Sequence, residues 1–267
     1  MMPRFKLLIE YAGTRYSGWQ IQKNARTVQG EIDRAIREVS RRSDFELYGS
    51  GRTDAGVHAL AQVAHLELYT NVPPEPLRRQ VNDRLPADIH IRTIDKVPHR
   101  FHARHDAVSR AYLYQIARRR TAFAKPYVWW VREPLDLGAM RDAADAFIGM
   151  KNFASFTDDD PQKKSTVVLV DRLELVEAEA LVLLRVQGSH FLWRMVRRIV
   201  GVLAAVGRGD LRPADAAAHL DETGAKPDVA PAALTAPASG LFLEGVYYKG
   251  DSGPGPLGPM VRVTGSP

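Results

Sequence analysis

The segment from Gly49 to His58 carries the strongest chemical pattern in the sequence. It reads GSGRTDAGVH, and its three glycines allow the backbone to turn sharply and to approach a ligand closely. Arg52 stands two residues before Asp54, and a nearby guanidinium favours the ionised form of a carboxyl group. Asp54 is therefore a candidate nucleophile or base. A structural interpretation stays open, because Asp commonly caps its own loop in an Asx-turn.

The same glycines resemble a phosphate-binding loop in their spacing only. Gly51 and Gly56 are separated by four residues, but Val57-His58 follows where Lys and then Ser or Thr are needed. The sequence also lacks a Gly-x-Ser-x-Gly nucleophile elbow. These patterns argue against nucleotide hydrolysis and against a serine hydrolase.

Three histidines at regular spacing raise the question of a metal. His99, His102 and His105 lie three residues apart, and zinc binds histidine, but no cysteine accompanies them. We expect solvated or RNA-facing histidines and no metal site. The absence of cysteine excludes disulfides, thiol catalysis and thiolate metal ligands.

Aromatic and basic side chains provide candidates for RNA contact. Tyr112 and Tyr114 lie on a predicted strand, and we predict that one faces the core while the other faces away, where it can stack on a base or pack against protein. Arg194, Arg197 and Arg198 share helical spacing, which predicts a basic face that is solvated or binds RNA. Arg197 adjoins the apolar stripe, and contact with a buried carboxylate is an interpretation that spacing alone leaves open.

The elements that position these residues are predicted from hydrophobic periodicity. In the first half, strands and helices alternate in the order β-α-β-β-α-β, over residues 4–11, 28–39, 45–48, 62–69, 74–84 and 89–97. Thr27 is the expected N-cap of the first helix. The second half repeats the order over 111–117, 137–148, 167–176, 181–186, 192–206 and 241–248, with an extra helix near 214–220.

This order is the ferredoxin-like arrangement. We therefore predict an α+β fold of two ferredoxin-like halves, with largely antiparallel sheets joined around a central basic cleft. The predicted domains are residues 1–106, which carry the Asp54 loop, and residues 107–250. Residues 251–267 are rich in Gly and Pro, and we expect them to be disordered.

Bulk composition fits a globular protein that binds nucleic acid. The 267 residues are 45% hydrophobic and 25% charged, and the formal net charge is +6. A basic balance is a footprint of nucleic-acid binding, although it also serves solubility. No apolar run reaches the roughly 20 residues that span a bilayer, and the start of the sequence has no apolar signal region. We expect a soluble, cytoplasmic protein.

Taken together, these segments resemble the TruA family of tRNA pseudouridine synthases, from about Phe5 to Tyr248. The octapeptide GRTDAGVH from Gly51 to His58 matches the active-site signature of that family. Further matching segments follow in the order of the family: Gly18-Trp-Gln-x-Gln22, Thr27-Val-Gln29, Leu85-Pro-x-Asp-Ile89, Phe101-His-Ala-Arg104, Arg110-x-Tyr-x-Tyr114, Asn152-Phe-x-Ser-Phe156, Met195-Val-Arg-x-Ile-Val-Gly201 and Gly240-Leu-x-Leu243.

The resemblance implies a role for each matching residue. Asp54 corresponds to the catalytic aspartate, and Tyr112 to the tyrosine that stacks on the target base and helps to move its C5 proton. Arg197 corresponds to the basic partner of the aspartate. Arg52 corresponds to the arginine that displaces the target nucleotide, and Leu241 to an apolar residue of the base pocket.

The resemblance also implies the substrate and the assembly. The expected reaction is uridine isomerisation at positions 38, 39 and 40 of the tRNA anticodon stem-loop, by a homodimer in which one tRNA touches both subunits. No cofactor, metal or membrane is expected. Candidate RNA contacts are Arg110, Arg194, Arg198, Gln20 and Arg26.

Some positions depart from the family pattern. Thr157, Val168 and Leu169 stand where arginine is common, and Asp158-Asp-Asp160 places acid where an RNA-facing loop is expected to be basic. These departures bear on RNA specificity more than on chemistry. A non-catalytic RNA-binding protein or RNA chaperone is the main alternative, but the intact Asp54 and its arginines favour an enzyme. A small-molecule enzyme with an Asp nucleophile fits poorly with the basic helices.

Overall fold

The computed structural model describes residues 2–221, 224 and 226–265. It has ten strands, β1 (Arg4–Tyr11), β2 (Glu46–Gly49), β3 (His58–Glu67), β4 (Ile89–Val97), β5 (Ala107–Ala117), β6 (Trp129–Trp130), β7 (Gly149–Asn152), β8 (Val167–Ala178), β9 (Leu181–Gly188) and β10 (Leu241–Tyr248), within these residues. The α-helices of the same residues are α1 (Val28–Ser40), α2 (Pro74–Asn82), α3 (Leu137–Ala144), α4 (Met195–Arg208) and α5 (Pro213–Ala218).

The predicted α+β class is confirmed, since helices accompany sheets whose strands pair mainly antiparallel. The chain forms two compact units. The first comprises Met1–Val108 with Phe242–Gly253, and the second comprises Ser109–Leu241 with Pro254–Pro267. The end of the chain thus returns to the first unit before it rejoins the second. The predicted domain limits at residues 106 and 250 stay a prediction.

The sheet of the first unit is built around β1. This strand pairs antiparallel with β3 on one side and with β4 on the other, while β2 pairs antiparallel with β3. The beginning of β3 also pairs in parallel with β10, where Phe242 lies opposite His58. Alternate residues of β1, among them Leu7 and Ile9, are fully buried, as period-two alternation requires.

Both helices of the first unit begin as predicted. The Thr27 Oγ1 accepts a hydrogen bond from the Gly30 N–H at 3.2 Å and caps α1. Helix α2 begins with a proline, whose missing N–H has no partner to lose in a first turn. This helix ends at Asn82 rather than at residue 84. The Asn82 side chain donates to Ile91 O at 2.9 Å and accepts from Ile91 N at 2.8 Å, which ties the end of α2 to β4.

The sheet of the second unit is built around the predicted hairpin of β8 and β9. Strand β9 pairs antiparallel with β5 and with β8, and β7 pairs antiparallel with the start of β8. The short strand β6 pairs in parallel with the end of β5. Helix α3 contacts α4, α5 and β8, and Leu137, Met140, Ala143 and Ala144 are its buried residues.

Two helices of the second unit differ from their predicted limits. Helix α4 is predicted from residue 192 but begins at Met195, because Arg194 adopts a left-handed conformation with φ of 61°. Helix α3 ends at Ala144 and continues as a 3₁₀ turn over Asp145–Phe147, whereas the prediction runs to residue 148.

Residues 251–265 contain no helix or strand. Val263 is nevertheless buried, and the Arg119 guanidinium donates to Thr264 O at 2.8 Å. The predicted disorder of residues 251–267 stays a prediction, and residues 266 and 267 lie outside the described part. No described helix is both long enough and apolar enough to cross a bilayer.

Candidate active site

Asp54 lies in the connection between β2 and β3, and the two strands fix the start of this loop. Ser50 N donates to Val63 O at 2.7 Å, and Ser50 Oγ donates to Gln62 Oε1 at 2.7 Å. Gln62 Nε2 in turn donates to Gly51 O at 3.1 Å. Because Ser50 and Gln62 are buried, these bonds are shielded from water and hold the loop to β3.

The other side of the loop is held by the connection between β1 and α1. Trp19 N donates to Thr53 O at 3.1 Å, and Gly56 N donates to Tyr16 O at 3.2 Å. The hydroxyls of Tyr11 and Thr53 are hydrogen-bonded at 2.7 Å. Thr53, directly before Asp54, and Gly56, two positions after it, are therefore fixed by segments that are distant in sequence.

Two glycines allow this connection to approach the loop. Gly18 has a φ of +95°, and a Cβ atom there would lie 2.5 Å from Thr53 O. A Cβ atom on Gly13 would overlap with Val57 O, and Gly13 N donates to His58 Nδ1 at 3.0 Å. Only glycine permits such close contact between two backbones.

Asp54 itself is half-buried, and its backbone carbonyl accepts from Val57 N at 3.2 Å in a tight turn. Arg52 is exposed, and among the described residues its guanidinium has no hydrogen-bond or ion-pair partner. Proximity in sequence therefore does not produce an ion pair between Arg52 and Asp54. Arg52 remains available to a group from outside the chain.

The two tyrosines of β5 lie two residues apart in a regular register with β9, so they share one face of the strand, and the prediction that they face opposite sides is wrong. Tyr114 is fully buried, and its hydroxyl donates to Pro237 O at 2.8 Å. Burial raises the pKa of the Tyr114 hydroxyl well above its usual value, and the nearby charge of Arg197 opposes that shift. Tyr112 is half-buried and meets the ring of Phe191 edge to face, with centroids 5.1 Å apart.

Arg197 and Leu241 occupy defined positions in the second unit. Arg197 Nε donates to Ala236 O at 2.7 Å, and Ala236 N donates back to Arg197 O at 3.0 Å. Leu241 is buried at the start of β10, directly after Gly240, whose hydrogen faces the Tyr114 ring because a Cβ would lie 2.6 Å from it. Arg197, Tyr114 and the segment before Leu241 thus form one packed cluster.

Arg194 is exposed, but Arg198 does not belong to the solvated basic face that their spacing predicts. Arg198 is only 3% exposed and is hydrogen-bonded to Asp158, which also lies 3.4 Å from Arg194 Nη1. Asp159 accepts from Trp193 N at 3.2 Å. Asp158 therefore pairs with both arginines at the start of α4, while Asp159 and Asp160 pair with Lys164 and Lys163.

The remaining predicted RNA contacts are spread over both units. Arg110 Nη1 donates to Ser189 O at 2.8 Å in the second unit. In the first unit, Arg26 Nε donates to Glu31 Oε1 at 2.6 Å, and its guanidinium lies 4.9 Å from the centre of the Tyr16 ring. Gln20 is half-buried within the connection between β1 and α1. The RNA-binding roles of these residues stay predictions.

The three regularly spaced histidines do not form a set of metal ligands. His102 Nδ1 accepts from Arg104 N at 3.1 Å and from His105 N at 3.2 Å. No group of three His, Asp or Glu side chains among the described residues is arranged to hold a metal ion. A further histidine, His65, is buried beside His102, and burial lowers the pKa of its imidazole to about 4.

Sequence reasoning does not single out the side chains that hold the Asp54 loop. Tyr11, Gly13 and Gln62 act through contacts with distant residues, and none of them forms a local motif. Gly18 and Trp19 belong to a segment that matches the family, but the local sequence gives no sign that their backbone contacts the loop. The one available signal is the recurrence of glycines in the β1–α1 connection.

Comparison of the sequence with known proteins identifies a family. The model of the tRNA pseudouridine synthase family matches residues 7–106 and 143–249, which is more than half of the chain. A tRNA pseudouridine synthase A 2 of Clostridium tetani is 36% identical over 252 residues, which cover 93% of this chain and 100% of the relative.

Two further relatives agree. A tRNA pseudouridine synthase A of Paramagnetospirillum magneticum is 37% identical over 96% of this chain and 100% of its own length. One of Brucella ovis is 40% identical over 92% of this chain and 98% of its own length. With a matching family model and relatives of this similarity over nearly the full length, the chain belongs to the tRNA pseudouridine synthase family.

Proposed function

We propose that this chain isomerises uridine to pseudouridine at positions 38, 39 and 40 of the tRNA anticodon stem-loop, with Asp54 as the nucleophile. The observation that carries the proposal is the loop GRTDAGVH, which holds a half-buried carboxylate on a scaffold of backbone hydrogen bonds. Family membership supports the reaction and the class of substrate.

The reaction explains why these residue types are needed. The glycosidic bond between N1 and C1′ breaks, the uracil turns, C5 bonds to C1′, and the proton of C5 leaves while N1 gains one. The uridine must first leave its stack, which costs a few kcal/mol. A carboxylate held without rearrangement can act at the sugar or the base as soon as the nucleotide arrives.

The proposed roles of the other residues follow from their chemistry. Tyr112 stacks on the target base and assists removal of the C5 proton, and Leu241 supplies an apolar wall. A ring and an aliphatic wall retain the released uracil without fixing its in-plane orientation. Arg197 pairs with the Asp54 carboxylate, and the exposed Arg52 displaces and replaces the target nucleotide.

The proposal extends to the architecture. We propose two ferredoxin-like halves around a central basic cleft, and a cytoplasmic homodimer in which one tRNA touches both subunits. The element order β1-α1-β2-β3-α2-β4 of the first unit, with its antiparallel sheet, supports a ferredoxin-like arrangement of the N-terminal half. Arg110, Arg194, Gln20 and Arg26 are the proposed RNA contacts. Arg198 is the fifth predicted contact, and in the structure it is buried against Asp158.

Tritium release from tRNA transcripts carrying [5-³H]uridine tests the substrate and its position. We expect release from a transcript with uridines at positions 38 to 40, and only background release when cytidine replaces them with the stem pairs kept intact. Equal release from both transcripts would contradict the proposed position. Tight binding without release from either would favour a non-catalytic RNA-binding protein.

A further inference from the structure

A groove in the second unit lies outside the residues assigned above. Its volume is about 340 Å³, and its lining includes Arg120, Thr121, Lys125, Trp129, Trp130 and Ser239. This volume falls within the roughly 300–1,000 Å³ of small-molecule sites in proteins. The lining residues include two cations and two tryptophans.

The two tryptophans present one anchored ring and one open ring. They are neighbours on β6, so their side chains point to opposite sides. Trp129 packs edge to face against the buried Tyr114, with centroids 6.3 Å apart and planes at 88°. Trp130 is 42% exposed. An indole ring held at a fixed strand position and open to solvent is a stacking surface for a base.

The cations of the groove lack acidic partners. Within the described residues, neither Arg120 nor Lys125 forms an ion pair with a carboxylate, whereas the neighbouring Arg118 lies 3.0 Å from Glu177. The Arg120 guanidinium instead lies 5.9 Å from the centre of the Trp130 ring. Two uncompensated positive charges beside an open aromatic ring favour an anionic ligand that also carries a flat ring.

The groove is a formed feature rather than a loose loop. The segment that carries it is fixed by three hydrogen bonds that involve side chains, namely Ala124 N to Thr121 Oγ1 at 3.2 Å, Gln115 Nε2 to Tyr127 O at 3.0 Å and Ser239 Oγ to Val128 O at 3.1 Å. Ser239 stands two residues before Leu241, the proposed wall of the base pocket. The groove therefore begins within one short turn of that wall.

We propose that this groove binds one unpaired nucleotide of the RNA substrate other than the target uridine. Trp130 stacks on its base, and Arg120 and Lys125 contact its phosphate groups. This inference rests on the proposed function, because it requires a single-stranded part of the tRNA next to the reacting nucleotide. A stacking platform with backbone cations is tolerant of base identity, so the groove adds affinity rather than sequence readout.

Binding of an unmodified tRNA transcript to Trp130→Ala tests the proposal. Because Trp130→Ala removes the ring on which the base stacks, we predict for this variant a Kd at least about fivefold higher than that of the native chain. Phe123→Ala is the matched control, since Phe123 is 96% exposed on the same segment and does not line the groove. We expect that control to leave the Kd unchanged.

A second variant removes the charges instead of the ring. Arg120→Gln combined with Lys125→Gln should make the negative slope of log K against log salt less steep by about 1 to 2, because one or two phosphate contacts are lost. Both variants should keep the native kcat at saturating tRNA and the native thermal midpoint, since the groove contacts neither Asp54 nor the reacting atoms.

The outcomes separate this inference from the proposed function. A native chain that binds and isomerises tRNA, with Kd and salt slope unchanged in both groove variants, would overturn the groove and leave the function intact. A native chain that binds no tRNA would overturn both. If Trp130→Ala changed the sedimentation of the protein but not its RNA affinity, the groove would be a protein contact and the inference would be wrong.

Discussion

At the scale of single residues, the placement of Asp54 depends on neighbours that take no part in the chemistry. Thr53 is held by Trp19 and Tyr11, and Gly56 is held by Tyr16. The carboxylate is thus carried by a backbone with little freedom to move. Preorganisation of this kind lowers the entropic part of a reaction barrier.

His65 provides a test of burial at a single residue. Burial and the charges of Arg4 and His102 lower its pKa to about 4, while Asp106 opposes them. The unfolded chain binds this proton more readily, so the free energy of unfolding should fall as pH drops from about 6.5 towards 4. Between pH values of about 7.5 and 5 the contribution is about 1–2 kcal/mol.

The measurement is urea unfolding at both pH values for the native chain and for His65→Asn. The amide oxygen of Asn can accept the hydrogen bond that Ala103 N donates to His65 Nδ1, but it does not titrate in this range. The variant should lose less stability on acidification than the native chain. His90→Asn, at an exposed position of β4, should behave like the native chain, and an equal loss in all three proteins would contradict the assignment.

Residue chemistry is predictable where it resides in local sequence. Asp54 and Arg52 share one short segment, whereas strand geometry places Tyr112 and Tyr114 on one face and does not reveal that Tyr114 is buried and Tyr112 half-buried. The absence of an ion pair between Arg52 and Asp54 is not predictable, because side-chain direction in a turn depends on the surrounding fold.

At the scale of elements, the connection between β1 and α1 must pass very close to the Asp54 loop. Gly18→Ala would place a Cβ 2.5 Å from Thr53 O at a backbone φ of +95°. We expect a decrease of about 1–3 kcal/mol in the free energy of unfolding and a loss of kcat. Urea unfolding and a tritium-release assay measure the two effects.

Gly51→Ala is the control for stability, since no atom lies within 4 Å of its added Cβ. That variant should stay within about 0.5 kcal/mol of the native chain. Equal stability of the two variants would show that the close approach of Gly18 to Thr53 has no energetic importance.

The start of α4 depends on the acidic stretch. Asp158→Asn leaves the buried guanidinium of Arg198 without its carboxylate, and we expect the free energy of unfolding to fall by about 1–3 kcal/mol. Asp160→Asn serves as control, because Asp160 pairs with the exposed Lys163 at 3.3 Å and should change stability by less than about 0.5 kcal/mol. Chemical denaturation of both variants measures these changes. A larger loss of stability in Asp160→Asn than in Asp158→Asn would contradict this account.

The limits of the elements are predictable where local signals set them. Thr27 and the spacing of apolar residues indicate the start of α1, and strand β10 has its predicted limits. Helix α4 begins three residues later than predicted, because the left-handed Arg194 and the pairing of Arg198 with Asp158 are tertiary effects. Periodicity carries no information about such contacts.

At the scale of the whole molecule, the net charge of +6 governs association with a polyanion. Every phosphate contact releases counterions from the RNA, so binding weakens as salt increases. We expect the Kd for a tRNA transcript to rise at least about tenfold between roughly 50 and 200 mM salt. Filter binding across this range measures the slope, and a Kd independent of salt would exclude phosphate contacts as the main source of affinity.

Composition and element order predict the α+β class, and the motif order predicts the family. The return of residues 242–253 to the first unit is not predictable in this way, because the sequence shows an element without its pairing partner. The groove beside Trp129 and Trp130 also escapes sequence reasoning, since two adjacent tryptophans are equally compatible with a place in the core.

The most direct test of the central claim is tritium release from [5-³H]uridine-labelled tRNA by the native chain and by Asp54→Asn. The substitution keeps the size of the side chain and removes its negative charge. We predict release by the native chain, together with formation of pseudouridine, and none by the variant despite unchanged tRNA affinity. Release by Asp54→Asn at the native rate would contradict the assignment of the chemistry to Asp54.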